Sequence, residues 1–470
     1  MLLLLLSLFF FTNSCAGQTT ISSGHTHAIP FPTHDNLNVK KSLSQATQIP
    51  PLPKTQEEFK DESRNKSSWK LNLLHRDELP FSNFTDLGRR FQSRMRRDAR
   101  RAAHLIGAKY EAEELGAEVV SGLGWDLGIA EYVVRIGVGT PPQYQYLEID
   151  TGSNLMWVQC QPCKPCFPQY DPVFDPTRSS SFAIVPCSST ICNRIHLGCT
   201  RGRCSYGIVY IDGSYNMGTM VQETITFGGT VVRDVTMGCS QTNQGMVTGA
   251  GGLLGLAGGS MTFMAQIPGQ TGGVFSYCLA SWHAESSGSL EFGREIIPVG
   301  AVWVPLLRSI RAPTTYYIGL SGLGVGNIKL PISEDVFRLT EQGNGGVIMD
   351  IGTSVTRLPK VAYETLRYIY MTQIATIPRA PSFSQLDTCY DLNGLGTVQV
   401  PTISFFFTGG QIWTLAAKNI LIPVNKRGIF CFAFAPSPTG ISIIGNLQQQ
   451  GIQITIDNSN GFVGFGPNNC

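Results

Sequence analysis

The sequence predicts an all-β protein built as two related β-rich lobes, each offering one carboxylate. Two observations carry that expectation. The first is composition. Only 14% of the 470 residues are charged, well under the roughly 25% of an average soluble protein. The chain holds 51 Gly and 27 Pro, a composition of many short strands and turns with few long surface helices. The second observation is a repeat. "YLEIDTGSNLMWV" at 146–158 and "GGVIMDIGTSVTRLP" at 345–359 each run an apolar strand into an acid, Asp150 or Asp350, and then a glycine turn. Each copy has its own apolar-apolar-glycine downstream. Leu253-Leu254-Gly255 ends 105 residues after Asp150, and Ile443-Ile444-Gly445 ends 95 residues after Asp350. Asp-x-Gly alone arises often by chance, but the duplicated set is far more specific.

The start, "MLLLLLSLFFFTNSCAG", has an apolar run of about the length of a secretory signal core. It is too short to cross a bilayer comfortably. Ser14 and Ala16 are small residues placed for cleavage after Ala16, so residues 1–16 are expected to be a signal peptide, with a short membrane anchor as the alternative. The region lacks Lys and Arg, a departure from the usual pattern. No later segment offers 18 clean apolar residues, so no transmembrane helix is expected in the mature form. Cysteine usage agrees. Of 13 Cys, cleavage removes Cys15, and an even set remains: Cys160, Cys163, Cys166, Cys187, Cys192, Cys199, Cys204, Cys239, Cys278, Cys389, Cys431 and Cys470. In an oxidising compartment these read as half-cystines of unknown pairing. The spacing of "CQPCKPC" at 160–166 also allows zinc, but no metal or cofactor is expected.

Residues 17–125 differ from the remainder of the chain. Their first part is Pro/Ser-rich and polar, and is expected to be loosely ordered. Both N-x-Ser/Thr glycosylation acceptors, Asn65 and Asn83, fall here. Then comes "RRFQSRMRRDARRAAHLIGAKYEAEELGAEVV", with seven Arg between Arg89 and Arg101. It reads as a basic helix followed by an acidic stretch. A nucleic-acid role does not suit a secreted chain. A solvated basic helix is the plain reading, and a removable prosegment with Arg-rich cut sites is the sharper one. Charge elsewhere is balanced: 16 Lys and Arg against 14 Asp and Glu up to Ala130, then 19 of each. The body therefore gives no electrostatic case for nucleic acid or an anionic membrane.

The body begins near Glu131. "EYVVRIGVGTPPQYQYLEIDTGS" reads as strand, turn, strand, with the acid at the strand end. "YGIVYIDGSYNMGTMVQETITF" at 206–227 reads as a hairpin with Asp212-Gly213 near its tip. "YYIGLSGLGVGNIKLP" at 316–331 opens the second half.

Two carboxyls about 3 Å apart cannot both ionise easily, so one stays protonated while the other is charged. The charged member can take a proton from a water held between them. The protonated member can hydrogen-bond a carbonyl oxygen. This is general acid–base hydrolysis with neither metal nor covalent intermediate. The apparent pKa values belong to the pair, and acidic pH favours the singly protonated state. Glycine beside each acid lets backbone approach closely.

At these residues the chain resembles the pepsin-like aspartic proteases, in particular the plant nepenthesin-like (atypical) group and, within it, the proteins named for aspartic protease activity in guard cells. The resemblance spans about 131–470 and also reaches "LNLLHRDELP" at 71–80. It rests on "IGVGTPPQ", "DTGSNLMWVQC", "GLLGLAGG", "YYIGLSGLGVG", "GTSVTRLP" and "IIGNLQQQG". It implies a bilobal pepsin-like acid protease fold with its active site in the cleft between lobes. The first lobe would span 131–305 with a Cys-rich insertion, and the second 306–470. Asp150 and Asp350 would be the catalytic dyad. Thr151, Gly152, Ser153, Gly352 and Thr353 would support it. Tyr210, with Asp212 and Gly213, would form the flap over substrate, and Trp157 would support the flap tyrosine, although an ordinary core aromatic is its plain reading. The group often has Gly where Ile211 stands.

Ile351 is the clearest departure. The group has Thr or Ser there, and the hydroxyls of its two loops grip each other. Thr151 keeps one half of that grip and Ile351 cannot supply the other. A lost buried hydrogen bond costs about 1–3 kcal/mol if its partner stays unsatisfied, and a larger apolar side chain can add overpacking strain of about 1–3 kcal/mol. Both acids remain, however. The function expected is a secreted aspartic endopeptidase made as a zymogen, acting on polypeptides as a monomer, in the apoplast or alternatively the vacuole or ER lumen. The alternative is a weakened or inactive relative that binds or inhibits a partner.

Overall fold

The computed structural model describes residues 32–47, 69–79, 86–107, 131–194, 198–209, 215–244, 249–280 and 288–466. The expected signal peptide, Asn65, Asn83, Tyr210, Asp212, Gly213 and Cys470 lie outside them. The described elements are mostly strands, because short apolar runs alternate with glycine and proline turns along the whole body.

Strands β3 (Tyr132–Val138) and β4 (Gln143–Asp150) pair antiparallel around the Gly-Thr-Pro-Pro turn, with Val138 opposite Gln143. Gly139 takes φ +95° there, a conformation that side-chain-bearing residues rarely adopt. Strand β5 (Trp157–Gln159) follows the acid loop. The strand Gly252–Gly255 lies between β4 and β5, parallel to the first with Gly255 beside Asp150, and antiparallel to the second. The second lobe repeats this. Ser442–Ile444 lies parallel to Val347–Met349, with Ile444 opposite Met349, and Ile443 faces Arg357 of the antiparallel strand Thr356–Pro359. Gly255 and Gly445 do the same work in the two lobes. A Cβ on Gly255 would sit 2.6 Å from the Ser153 carbonyl oxygen, and one on Gly445 would sit 2.6 Å from that of Ser354. The repeated apolar-apolar-glycine is therefore the strand that props each acid loop from below.

One antiparallel sheet joins the halves. Its order is β2 (Trp69–His75), Gly288–Phe292, Val274–Cys278, Gln453–Asp457, Phe462–Phe465, Val302–Leu307. Ser276 and Thr455 face each other at its centre, their hydroxyl oxygens 2.6 Å apart. The hairpin expected at 206–227 is present: Arg203–Val209 pairs with Tyr215–Phe227.

The region before Glu131 departs from expectation in two places. The segment expected to be loosely ordered contains strand β1 (His34–Asn38) and helix α1 (Val39–Thr47). Strand β1 pairs antiparallel with Thr397–Pro401 of the second lobe, and Leu37 and Val39 enter the core. This short apolar pair is diluted in composition by its Pro/Ser-rich surroundings. The Arg-rich run forms helix α2 (Leu87–Gly107), but it is not a solvated helix. Leu87, Phe91 and Met95, spaced four apart on one face, are buried. Phe91 and Met95 pack with Val355, Leu386, Ile422, Val424 and Leu447. Arg94 and Arg101 are wholly buried, because acceptors in the body meet them.

The cysteines pair as Cys160–Cys239, Cys163–Cys166, Cys187–Cys199, Cys192–Cys204 and Cys389–Cys431, and Cys278 is also disulfide-bonded. The "CQPCKPC" stretch is therefore committed to disulfides.

Candidate active site

Strand β4 delivers Asp150 at its last position, and Val347–Met349 delivers Asp350 at the next residue. Apolar strands before each acid bury it: Asp150 is 0% and Asp350 2% exposed. Each carboxylate then receives the same two donors from its own loop. Gly152 N donates to Asp150 Oδ1 at 2.9 Å and Ser153 Oγ to Oδ2 at 2.5 Å. Gly352 N donates to Asp350 Oδ1 at 3.3 Å and Thr353 Oγ1 to Oδ2 at 2.5 Å. The two carboxylates are brought together, and a single guanidinium spans them. Arg101 Nη2 donates to Asp150 Oδ1 and to Asp350 Oδ1, each at 2.6 Å, while Nε donates to Asp350 Oδ2 at 2.7 Å. Gly352 allows this approach, since a Cβ there would collide with the guanidinium.

The electrostatics follow from burial and that one cation. Burial alone would raise the Asp350 pKa, but the Arg101 charge and its hydrogen bond outweigh this and hold the carboxyl below the usual range. Burial works against the Arg101 charge too, yet the two aspartates hold its pKa above the ordinary value. Glu131, at the start of the body, is buried against Arg97, Arg94 and His75. Desolvation pushes it up, but the Arg97 and Arg94 charges and the bond to His75 pull it well below the usual carboxylate range. A guanidinium with two carboxylates is a matched charge-assisted fork, and removing one partner of a buried set costs far more than an exposed pair.

Ile351 is 1% exposed and packs in the main core. Its backbone N–H donates to Thr151 Oγ1 at 3.2 Å, so half of the grip exists across the lobes. Its side chain cannot return the bond. A different residue braces this loop: Asn446 Nδ2 donates to the Ile351 carbonyl at 2.8 Å, and Asn446 N donates to the Thr353 carbonyl at 2.7 Å. Gln449, held by Tyr277, adds a bond from its Nε2 to the Asp350 carbonyl at 3.4 Å.

Trp157 is buried on β5 among Phe167, Tyr206, Ile208, Leu253 and Met261. It therefore shares one core cluster with Tyr206 and Ile208 at the root of the hairpin that leads to Tyr210. Its indole N–H has no hydrogen-bond partner among the described residues.

The sequence marks 89–101 as a basic helix of a removable prosegment, but Arg101, Asp98 and Arg94 on α2, and Arg357 and Asn446 in the body, do not stand out in it. One signal was available for two of them. "RRFQSRMRRDARR" holds one acid among seven Arg, and Asp98 precedes Arg101 by three residues, so both face one side of a helix. Asp98 Oδ2 takes a bond from Arg357 Nη2, and Arg94 donates to Ser354 Oγ and to Asn446 Oδ1. Among the described residues, no group of His, Cys, Asp or Glu is gathered as a metal would need.

Comparison with known proteins supplies the family. The model described as Xylanase inhibitor N-terminal matches residues 132–294, and that described as Xylanase inhibitor C-terminal matches 315–467. The chain is 51% identical over 455 residues to Protein ASPARTIC PROTEASE IN GUARD CELL 2 of Arabidopsis thaliana, covering 94% of this chain and 96% of that protein. This chain belongs to the nepenthesin-like plant aspartic proteases. A second member of that family, aspartic proteinase nepenthesin-2 of Nepenthes gracilis, is 40% identical over 73% of this chain and 78% of its own length. Among solved structures, edgp matches with a TM-score of 0.60 at 18% identity, covering 73% of this chain and 93% of that one. Conglutin gamma, a basic 7S globulin from lupine seeds, matches with a TM-score of 0.58 at 18% identity over 74% and 94%. At that identity the two share the aspartic protease fold and nothing more is carried over.

Proposed function

We propose that the protein is a secreted aspartic endopeptidase made as a zymogen, hydrolysing peptide bonds at acidic pH with water activated between Asp150 and Asp350. The observation that carries this reading is the pair of buried carboxylates, each fed by the same two donors and both occupied by Arg101. When the cation leaves, two acids in matched settings remain with room for one water. They share one proton. The charged acid takes a proton from that water and the protonated one hydrogen-bonds the peptide carbonyl. Gly152, Ser153, Gly352 and Thr353 fix where both oxygens point, which is the orientation the reaction needs.

Residues 17–125 act as the prosegment in this reading, with 131–305 and 306–470 as lobes. The sign of the pH response follows from Asp350. Its pKa in the intact chain is depressed, so the pair stabilises the docked helix above the ordinary aspartate value of about 3.9. That stability is lost as pH falls through the depressed value. Acid therefore both releases the plug and sets the dyad in its working state. Tyr210, Asp212 and Gly213 close over substrate, with Trp157 behind them. The protein works as a monomer on polypeptide substrates and binds no nucleic acid. Its compartment is the apoplast, with vacuole and ER lumen as alternatives, and Asn65 and Asn83 carry glycans.

Acid-treated protein is expected to cleave denatured casein at about pH 3–5, and pepstatin should stop it. Asp150→Asn should lower the rate by at least about 10²-fold. Cleavage that survives in that variant would remove the dyad from the account. A second reading, a binding or inhibitory relative, is favoured by Ile351 and by the inhibitor description of the two matching family models. An acid-released wild type that is inert, with cleavage gained by Ile351→Ser, would select it.

A further inference from the structure

Helix α2 leaves a second imprint on the cleft, beside the dyad. Asp98 is 1% exposed. Its Oδ1 accepts from Ser354 N at 2.5 Å and from Val355 N at 3.2 Å, and its Oδ2 accepts from Arg357 Nη2 at 2.6 Å. Arg357 itself is 7% exposed. Its Nη2 also donates to Gln385 Oε1 at 2.5 Å and its Nη1 to the Pro436 carbonyl at 3.4 Å. Its Nε has no hydrogen-bond partner among the described residues. Two backbone N–H groups and one guanidinium thus converge on one carboxylate.

All three donors belong to the loop and strand that follow Asp350, at four, five and seven residues beyond it. Their position relative to the acid is fixed by the strand Thr356–Pro359, which pairs with Ser442–Ile444 and with Phe434–Ser437. Arg101, three residues after Asp98, fills the space between the two acids. A polypeptide that takes the place of α2 over the dyad meets these donors where Asp98 now sits. Once α2 departs, they are left without Asp98, and unpaired buried donors are costly.

The geometry points to a carboxylate-binding subsite formed by Ser354 N, Val355 N and the Arg357 guanidinium, for which Asp98 is the internal stand-in. Its ligand is an Asp or Glu side chain of the substrate polypeptide. The inference rests on the aspartic endopeptidase reading. It makes this enzyme selective for chains carrying one acidic side chain at a fixed distance from the scissile bond. Charge-assisted hydrogen bonds of this kind are the strong ones. A guanidinium fork also prefers a carboxylate to an amide, because the amide turns a donor toward it.

The test compares matched peptides that differ by Glu or Gln at one position, scanned along the chain. The enzyme is the acid-released protein, assayed near pH 5, where a free glutamate is ionised. At one position Glu should exceed Gln in kcat/KM by about tenfold, about 1.4 kcal/mol. Arg357→Gln should collapse that ratio and Arg357→Lys should restore part of it. A ratio within about twofold at every position, or one that persists in Arg357→Gln, overturns the subsite. A binding readout works without cleavage and without an enzyme variant. A labelled peptide of sequence 87–107 should bind the released protein about tenfold more tightly than its Asp98→Asn form. Equal binding also overturns the subsite. A protein that cleaves no peptide yet discriminates these two keeps the subsite and sinks the endopeptidase reading instead.

Discussion

The loops around Asp150 and Asp350 are near copies in what touches a proton and in the strand beneath them, and unlike in the side chains that tether them. Each carboxylate receives a glycine N–H and a Ser or Thr hydroxyl from the same relative positions. Each rests on a strand ending in glycine or running into one. The first loop then offers Thr151 to its neighbour, while the second offers the side chain of Ile351 and relies on Asn446. Beyond Arg101, and apart from the ion pairs of Arg94 and Arg97 with Glu131, α2 is bonded to the second loop and its surroundings: Ser354, Val355, Arg357, Gln385 and Asn446. The loop with the weaker tether is the one that α2 grips at these positions. Chemistry constrains the proton-bearing positions of both copies, whereas rigidity can be supplied from several directions.

The largest expected effect breaks what the loops share. Arg101→Ala leaves two buried carboxylates without their cation, a change that costs about 3–5 kcal/mol. The intact chain should unfold at lower temperature. Release of helix α2, followed as the pH at which casein cleavage begins, should move upward, because the depressed Asp350 carboxyl then returns toward or above its ordinary range. An unchanged onset would mean that the cation does not hold the latch. A smaller effect tests the surviving half of the grip. Thr151→Val leaves the buried Ile351 N–H without its acceptor, at a cost of about 1–3 kcal/mol, which thermal unfolding of the acid-released protein would read. The smallest sharpens the asymmetry itself. Ile351→Thr offers the missing hydroxyl and should gain about 0.5–1.5 kcal/mol. If it destabilises instead, the core has closed around isoleucine and the braces from Asn446 and Gln449 have replaced the grip for good.

Much of this was legible in the sequence because the repeat is local. An apolar strand, an acid and a glycine turn can be read within a dozen residues, and so can the hairpin at 206–227. The supporting strands 252–255 and 442–444 were legible because glycine is required where a backbone passes within contact of the acid loop. Pairings set by distance in space were not legible. Nothing near Asn446 in the chain says that it reaches Ile351, and nothing near Arg357 points to Asp98, 259 residues away. Strand β1 was hidden for another reason. Its two buried residues, Leu37 and the adjoining Val39, are too few to stand out from polar neighbours, and only the waiting edge at Thr397–Pro401 makes them a strand.

Strand β2 carries a consequence of its own. In the sheet joining the lobes it stands at the far end of the order from Val302–Leu307, and its last residues, Leu74 and His75, continue the pairing to Val133 and Tyr132 of β3. One end of that order is built from the body and the other from the stretch upstream. Its hold is backbone bonds to Gly288–Phe292 and the burial of Leu71 and Leu73, forces that protons barely change, but its last residue, His75, also meets the buried Glu131 that pairs with Arg94 and Arg97 of α2. Glu131 therefore ties strand and helix to one carboxylate. Protonating it would loosen the end of β2 and the middle of α2 together, while the backbone ladder to Gly288–Phe292 stays in place.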